Sequence, residues 1–101
     1  MSRLDDTIAT LRSLMPELRA RFGVDALALF GSTARSEDSV ASDLDLLVDF
    51  LPDARVTLFT LSAMTSHLER TLGRKVDIVE NHPRLRPAFL AEIQKDLRRV
   101  A

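Results

Sequence analysis

The first 22 residues carry apolar side chains at the three- and four-residue spacing of a helix that buries one face. The residues that share this spacing are Leu4, Ile8, Leu11, Leu14, Leu18 and Phe22. Pro16 interrupts the pattern, and a proline inside a helix costs about 3 kcal/mol because it lacks an amide hydrogen and clashes with the preceding turn. The sequence therefore predicts two helices, near residues 3–14 and 16–22, with Gly23 ending the second.

Three short segments rich in apolar and β-branched residues predict strands, the first from residue 24 or 26 to residue 30 and the others at residues 44–50 and 75–79. A longer segment between the second and third strands has helical periodicity, and its inner face is formed by Leu58, Leu61, Met64, Leu68 and Leu72. Thr57 is suited to cap the start of this helix and Gly73 its end. His67 falls outside the apolar stripe, which predicts a solvated surface histidine.

A final helix is predicted over residues 87–99, and its inward residues are Leu90, Ile93 and Leu97. Residues 36–42 form a polar segment that predicts a loop, with a single helical turn expected before it at residues 32–35.

The composition is that of a globular domain, with 46% hydrophobic and 29% charged residues in 101. We expect one domain, residues 1–101, that buries its core without disulfides. The net charge of -1 gives no support for direct nucleic-acid binding. The absence of cysteine excludes disulfides and thiolate metal sites. No segment has the apolar length of a signal core or a membrane span, so we expect a cytoplasmic protein that does not bind membranes.

The residues with the strongest chemical signal lie between the first two predicted strands. Gly31-Ser32 follows the first strand, and Asp43 and Asp45 open the second. Strand side chains alternate between faces, so the two aspartates are predicted to share one face. Gly, Ser and Asp are also ordinary turn residues, and for Gly31-Ser32 alone that interpretation stays open. The aspartate pair is harder to explain in this way, because two carboxylates about 4 Å apart repel by up to ~4 kcal/mol at an effective dielectric constant near 20.

Asp77 supplies a third carboxylate, in the middle of a short β-branched strand. A charge there is costly unless that face is open or the charge is coordinated. By itself Asp77 is equally well explained as a surface residue of a half-exposed sheet. Together with Asp43 and Asp45 it predicts a three-carboxylate cluster whose hard oxygen atoms suit divalent cations. His82 remains an alternative fourth ligand, or a residue behind the ligands, with little support from its spacing.

Several other kinds of site are excluded by their motifs. An EF-hand loop that began at Asp43 would need glycine where Val48 stands. The chain contains neither the glycine-rich P-loop motif nor the Gly-x-Ser-x-Gly motif of a serine hydrolase.

The chemistry that remains is phosphoryl or nucleotidyl transfer. The three carboxylates are suited to hold two cations against a triphosphate. The Gly31-Ser32 turn offers main-chain N–H groups and a hydroxyl to phosphate oxygens, and Arg35 lies a turn away from the departing charge. Asp77 is the candidate to accept the proton of the attacking hydroxyl.

This arrangement resembles a known family. Gly31-Ser32, ten intervening residues, Asp43-x-Asp45 and a later Asp77 resemble the motif of the nucleotidyltransferase superfamily related to DNA polymerase β. The segments FGSTARSEDSVASDLDLLVDF and LGRKVDIV are similar to those of minimal nucleotidyltransferase (MNT) domains, and the similarity covers nearly the whole chain. It implies an α+β fold, with a small mixed sheet of three to four strands and helices packed on one face. Ser36 departs from the pattern, because relatives often carry glycine there.

The resemblance also implies a function. It implies dependence on Mg²⁺ (two ions), ATP as a substrate, and Asp43, Asp45 and Asp77 as catalytic and metal-binding residues. Many such proteins are antitoxins of a HEPN-domain RNase toxin, and members with the intact motif transfer AMP to a tyrosine of that toxin. We expect an adenylyltransferase antitoxin of this kind. Two alternatives stay open: a non-catalytic antitoxin that acts by occlusion, and a nucleotidyltransferase that modifies a small molecule such as an antibiotic.

Overall fold

The computed structural model describes residues 3–34 and 43–101. Within them the chain forms α1 (Arg3–Phe22), β1 (Val24–Phe30), α2 (Gly31–Ala34), β2 (Leu44–Phe50), α3 (Leu58–Leu72), β3 (Val76–Glu80), α4 (Pro87–Gln94) and β4 (Arg98–Arg99). The three predicted strands and the central helix are confirmed, with β3 one residue later than predicted. The predicted loop at 36–42 lies outside the described residues. Among those that are described, no helix combines the length and apolar character needed to cross a membrane.

The described strands form one mixed sheet in the order β3-β2-β1-β4. β1 is antiparallel to both β2 and β4, whereas β2 and β3 are parallel. A parallel neighbour needs a crossover connection, and α3 provides it. The predicted α+β fold with a small mixed sheet is therefore confirmed.

The main core lies between one face of this sheet and the helices α1 and α3. Its most completely buried side chains are Leu11, Leu18, Val24, Leu27, Leu29, Leu44, Leu46, Val48, Met64 and Leu68. The two long helices thus pack on one face, as predicted. The short helix α4 covers the opposite face, where Ala28, Leu47 and Ile93 are buried outside that cluster.

α1 is one continuous helix, so the predicted break at Pro16 is wrong. Its buried residues form a single stripe of Leu4, Leu11, Leu18 and Phe22. Burying one such side chain contributes roughly 1.5–3 kcal/mol, so the stripe outweighs the ~3 kcal/mol cost of one internal proline. Gly23 ends the helix as predicted, at φ +76°, and its amide N–H donates to the Arg19 carbonyl at 3.0 Å.

α3 begins and ends where the sequence predicts. Thr57 Oγ1 accepts the amide N–H of Thr60 at 3.3 Å, and Thr60 Oγ1 accepts the amide N–H of Thr57 at 3.1 Å. This reciprocal pair satisfies two donors that the first turn of a helix cannot satisfy itself. Gly73 adopts the left-handed conformation that closes the last turn, with φ +69°.

The prediction that His67 is a solvated surface residue is wrong. Its side chain is only 17% exposed and bonds to Glu17 of α1 through Nε2. Its ring also lies 6.1 Å from the ring of Phe22, measured between centroids. His67 therefore links α3 to α1, and the neighbouring helix covers a position that a single-helix pattern places outside the core.

The last predicted helix is too long, because α4 ends at Gln94 and the chain then adds a strand to the sheet. The Val100 amide donates to the Leu27 carbonyl at 2.8 Å, and the Leu27 amide donates to the Ala101 carbonyl at 3.1 Å. These bonds satisfy main-chain groups at the edge of β1 that a longer helix would leave without a protein partner. Leu97, predicted to face inward, is 37% exposed as a result.

Candidate active site

The C-terminal end of β1 and the N-terminal ends of β2 and β3 lie at the same edge of the sheet. The pairing register sets Phe30 opposite Asp45, and Asp45 opposite Asp77. Directly paired residues point to the same face of a sheet, so these three residues form one row. The row lies on the face opposite the main core, because Leu44 and Val76, which precede the two aspartates, are buried in that core.

Asp45 and Asp77 are thereby brought together. Neighbouring strands lie about 4.8 Å apart, so the two carboxylates extend from adjacent main-chain positions. Asp45 is partly buried, whereas Asp77 is exposed on β3, the outer strand of the described sheet. Two of the three predicted carboxylates therefore share an accessible edge.

Asp43 is exposed and directly precedes β2. It is two residues before Asp45, which corresponds to about 6.6 Å along an extended chain. Across residues 3–34 and 43–101, no group of three or more His, Cys, Asp and Glu side chains is arranged to hold a metal ion. The three carboxylates thus have neighbouring main-chain positions, but their side chains do not form a closed ligand set.

Gly31 follows the row at the end of β1 and opens α2. Its φ of +74° is a conformation that L-residues with a Cβ rarely adopt. A Cβ at this position would also lie well inside 3.0 Å of Asp45 Oδ2, which no real contact permits. The structure therefore brings the Gly31 main chain directly against the Asp45 carboxylate, and any side chain at this position would have to displace that carboxylate.

The remaining predicted phosphate ligands fall beyond what the structure describes. α2 includes the main chain of Ser32, in agreement with the expected single turn. The side chain of Ser32 and the whole of Arg35 lie outside the described residues.

His82 lies far from this edge. β3 runs away from Asp77 for about 10 Å before it ends at Glu80, and His82 follows in the next turn. Its Nδ1 accepts the Arg84 amide N–H at 3.0 Å. The alternative that His82 supplies a fourth ligand is therefore wrong, and the ring stabilises a local turn.

The donor set fits Mg²⁺ in its chemistry. Magnesium prefers hard oxygen ligands and binds proteins through one or two carboxylates together with substrate phosphates. The row offers such oxygens beside the turn at Gly31. A set shared between protein and substrate does not require three preassembled protein ligands.

A cavity adjoins the row and was not predicted from the sequence. Its volume is about 120 Å³, and its lining residues are Phe30, Gly31, Phe89, Glu92, Ile93 and Asp96. The lining residues of α4 and the turn after it recur at helical spacing, and this is the only signal of the cavity that the sequence contains.

Comparison with known proteins identifies relatives along most of the chain. The model of the nucleotidyltransferase domain family matches residues 11–100. The protein adenylyltransferase MntA of Thermococcus cleftensis is 38% identical over 79 residues, which are 78% of this chain and 78% of that protein. A Methanocaldococcus jannaschii protein, provisionally named a protein adenylyltransferase, is 31% identical over 97 residues, or 96% of this chain and 97% of that protein.

Solved structures share the fold. A provisionally assigned minimal nucleotidyltransferase superposes with a TM-score of 0.73 at 35% identity, covering 97% of this chain and 95% of that one. A chain from the complex of a tri-AMPylated Shewanella oneidensis HEPN toxin with its MNT antitoxin gives a TM-score of 0.66 at 14% identity. That match covers 93% of this chain and 71% of the other, and at such low identity it is evidence for the fold alone.

Proposed function

The chain belongs to the nucleotidyltransferase domain family, and from this premise we propose that it is a Mg²⁺-dependent protein adenylyltransferase. It transfers AMP from ATP to a tyrosine hydroxyl of a HEPN-family RNase toxin and so acts as the antitoxin. The observation that carries the proposal is the row that sets Asp45 opposite Asp77, with Gly31 against Asp45.

The reaction is a displacement at the α-phosphorus of ATP. The acceptor oxygen forms a bond to this phosphorus while the bond to the bridging oxygen of pyrophosphate breaks, and pyrophosphate leaves with the electron pair. Asp77 accepts the hydroxyl proton, because it is exposed on the outer strand where an acceptor can approach. The Gly31 turn directs main-chain N–H groups to phosphate oxygens, and Ser32 and Arg35 remain predicted phosphate ligands.

Asp43, Asp45 and Asp77 are the residues that would hold Mg²⁺, as two ions. When bound, the ions neutralise the charge of the triphosphate and orient it. The main-chain spacings of about 4.8 Å and 6.6 Å are within the reach of aspartate side chains around a shared site. Binding a cation also offsets the repulsion between the carboxylates.

A protein acceptor fits the open side of the site. Relatives that align over most of their length are named protein adenylyltransferases, and a solved complex of the same fold contains an AMPylated HEPN toxin. Asp77 and Asp43 are both exposed, so a segment of a partner can reach the row without rearrangement of the core. These observations support the toxin as substrate.

The proposal is tested by incubating the protein with ATP, Mg²⁺ and its HEPN partner. Intact-mass spectrometry should show the partner heavier by whole adenylyl units, and fragmentation should place them on tyrosine. The matched control is the Asp43→Asn/Asp45→Asn double variant, which should bind the toxin but add no mass.

Two results would contradict the proposal. If the partner stays unmodified although the protein is folded and binds the nucleotide, the protein does not have the proposed transferase activity. Full neutralisation of the toxin by the double variant would instead establish inhibition by occlusion.

A further inference from the structure

The cavity beside Gly31 has no part in the transfer reaction described above. One wall is the end of β1, formed by Phe30 and Gly31. The other wall is one face of α4 and the turn that follows it, and its residues are Phe89, Glu92, Ile93 and Asp96. Gly31 therefore separates the cavity from Asp45, so an occupant would lie next to the reacting centre.

The lining favours a neutral, flat group over a phosphate. Glu92 and Asp96 contribute carboxylates, and although Glu92 accepts from Lys95 Nζ at 3.0 Å, a lining with two carboxylates does not favour a triphosphate. Phe89 is 43% exposed although it lines the cavity, so part of its ring is available to a ligand. Aromatic faces stack on nucleobases whatever the base, and the N–H groups at the edge of adenine are donors that carboxylates accept.

The strand order separates this cavity from the acceptor side. Asp77 lies on β3, whereas Phe30 and Gly31 end β1, and β2 runs between them. Two strand spacings amount to about 10 Å. In the proposed reaction the acceptor enters at Asp77 and the phosphates lie at Gly31. The group that remains to be placed near Gly31 is the nucleoside, which is covalently joined to the α-phosphate.

We propose that the cavity is the nucleobase subsite and that Phe89 stacks on the base of the donor nucleotide. This inference rests on the proposed function, because it needs a nucleoside triphosphate at the row. It makes Phe89 a nucleotide-binding residue that acts on ATP binding and not on the acceptor.

The test compares two ligands that differ in the nucleoside. ATP and inorganic tripolyphosphate, each with Mg²⁺, are titrated by calorimetry into the wild type and into the Phe89→Ala, Phe89→Trp and Phe59→Ala variants. Phe59 is a matched control, because it is 87% exposed at the start of α3, at the opposite end of β2 from the row. Phe89→Ala should weaken ATP binding by about 5- to 150-fold, the range of one base–aromatic stack. Its affinity for tripolyphosphate should not change.

Further readouts exclude a general structural effect. Phe89→Trp should retain ATP affinity, because a larger aromatic ring also stacks, and Phe59→Ala should behave as wild type. In the transfer assay Phe89→Ala should raise the KM for ATP and leave the KM for the toxin unchanged.

The inference is overturned if Phe89→Ala binds ATP as tightly as wild type, if it loses both ligands equally, or if only the KM for the toxin rises. The last result would assign the cavity to the acceptor. If the wild type binds neither ligand and modifies no toxin, the proposed function is wrong, and this inference is wrong with it. The wild-type measurements distinguish the two failures before any variant is examined.

Discussion

Replacing Gly31 by alanine should damage catalysis through Asp45. The substitution has two effects: it places a Cβ on a residue with φ +74°, and it drives that Cβ into Asp45 Oδ2. The first effect strains only the main chain. The second displaces a carboxylate at the centre of the row, which is why we expect the loss of activity to exceed the loss of stability.

The magnitude follows from these two effects. A left-handed conformation costs an L-residue with a Cβ about 1–2 kcal/mol. If Asp45 leaves its rotamer to relieve the contact, the cost is of order 0.5–1.5 kcal/mol more. The free energy of unfolding should therefore fall by about 1.5–3.5 kcal/mol, which for a domain of this size lowers Tm by roughly 6–28 °C. A displacement of about 1 Å at a reacting centre costs on the order of 100-fold in rate.

Two other glycines provide matched controls. Gly73 has φ +69° with open space around it, so Gly73→Ala measures the main-chain strain alone. Gly23 has φ +76°, and a Cβ there would lie 2.6 Å from Ala54 Cβ, so Gly23→Ala combines strain with a clash outside the site. Thermal melts give the stability of each variant, and kcat/KM for AMP transfer is measured where all of them are folded.

Only Gly31→Ala should lose activity beyond its loss of stability. The reasoning fails if Gly31→Ala transfers AMP at the wild-type rate. It also fails if Gly23→Ala, which leaves Asp45 untouched, loses as much activity in its folded form.

Two further predictions concern the carboxylates. Asp77→Asn should abolish transfer. In urea denaturation without added metal, its free energy of unfolding should equal that of the wild type or exceed it by up to ~1 kcal/mol. Charges about 5 Å apart at an exposed edge repel by roughly that amount in water, and a clear destabilisation would make Asp77 a structural residue. ATP with Mg²⁺ at a hundredfold excess over Kd should stabilise the wild type by about 2.7 kcal/mol in thermal melts. The Asp45→Asn variant should lose most of this stabilisation by ATP and Mg²⁺. If it is stabilised as much as the wild type, Asp45 is not a ligand.

The parts of the fold that are predictable from the sequence are those fixed by neighbouring residues. α3 has its correct bounds because Thr57 and Gly73 act within a turn of its ends. The predicted division of α1 at Pro16 is wrong because the local cost of a proline is smaller than the gain from packing the helix against the sheet, which the local sequence does not reveal. The C-terminal strand is not predictable locally, because the main chain that it bonds to is at Leu27, more than seventy residues away along the chain.

The same distinction applies to the site. Alternation along β2 is a local property, and it places Asp45 on the face away from the core without knowledge of the fold. The pairing of Asp45 with Asp77 depends on where the chain returns after α3, and only the structure supplies that register. The position of Phe89 beside Gly31 depends on the packing of α4 over the open face, for which the sequence offers only a helical spacing.

The row itself is asymmetric, and this asymmetry assigns different roles to its two aspartates. Asp45 lies on β2, which is paired on both sides, and the Gly31 main chain approaches its carboxylate. Such confinement suits a ligand that must hold its position while charge moves around it. Asp77 lies on the outer described strand and is exposed, so its carboxylate can meet a hydroxyl delivered by another protein. On the proposed mechanism the confined aspartate positions the donor and the exposed one accepts the proton, because only the exposed position leaves space for a second reactant.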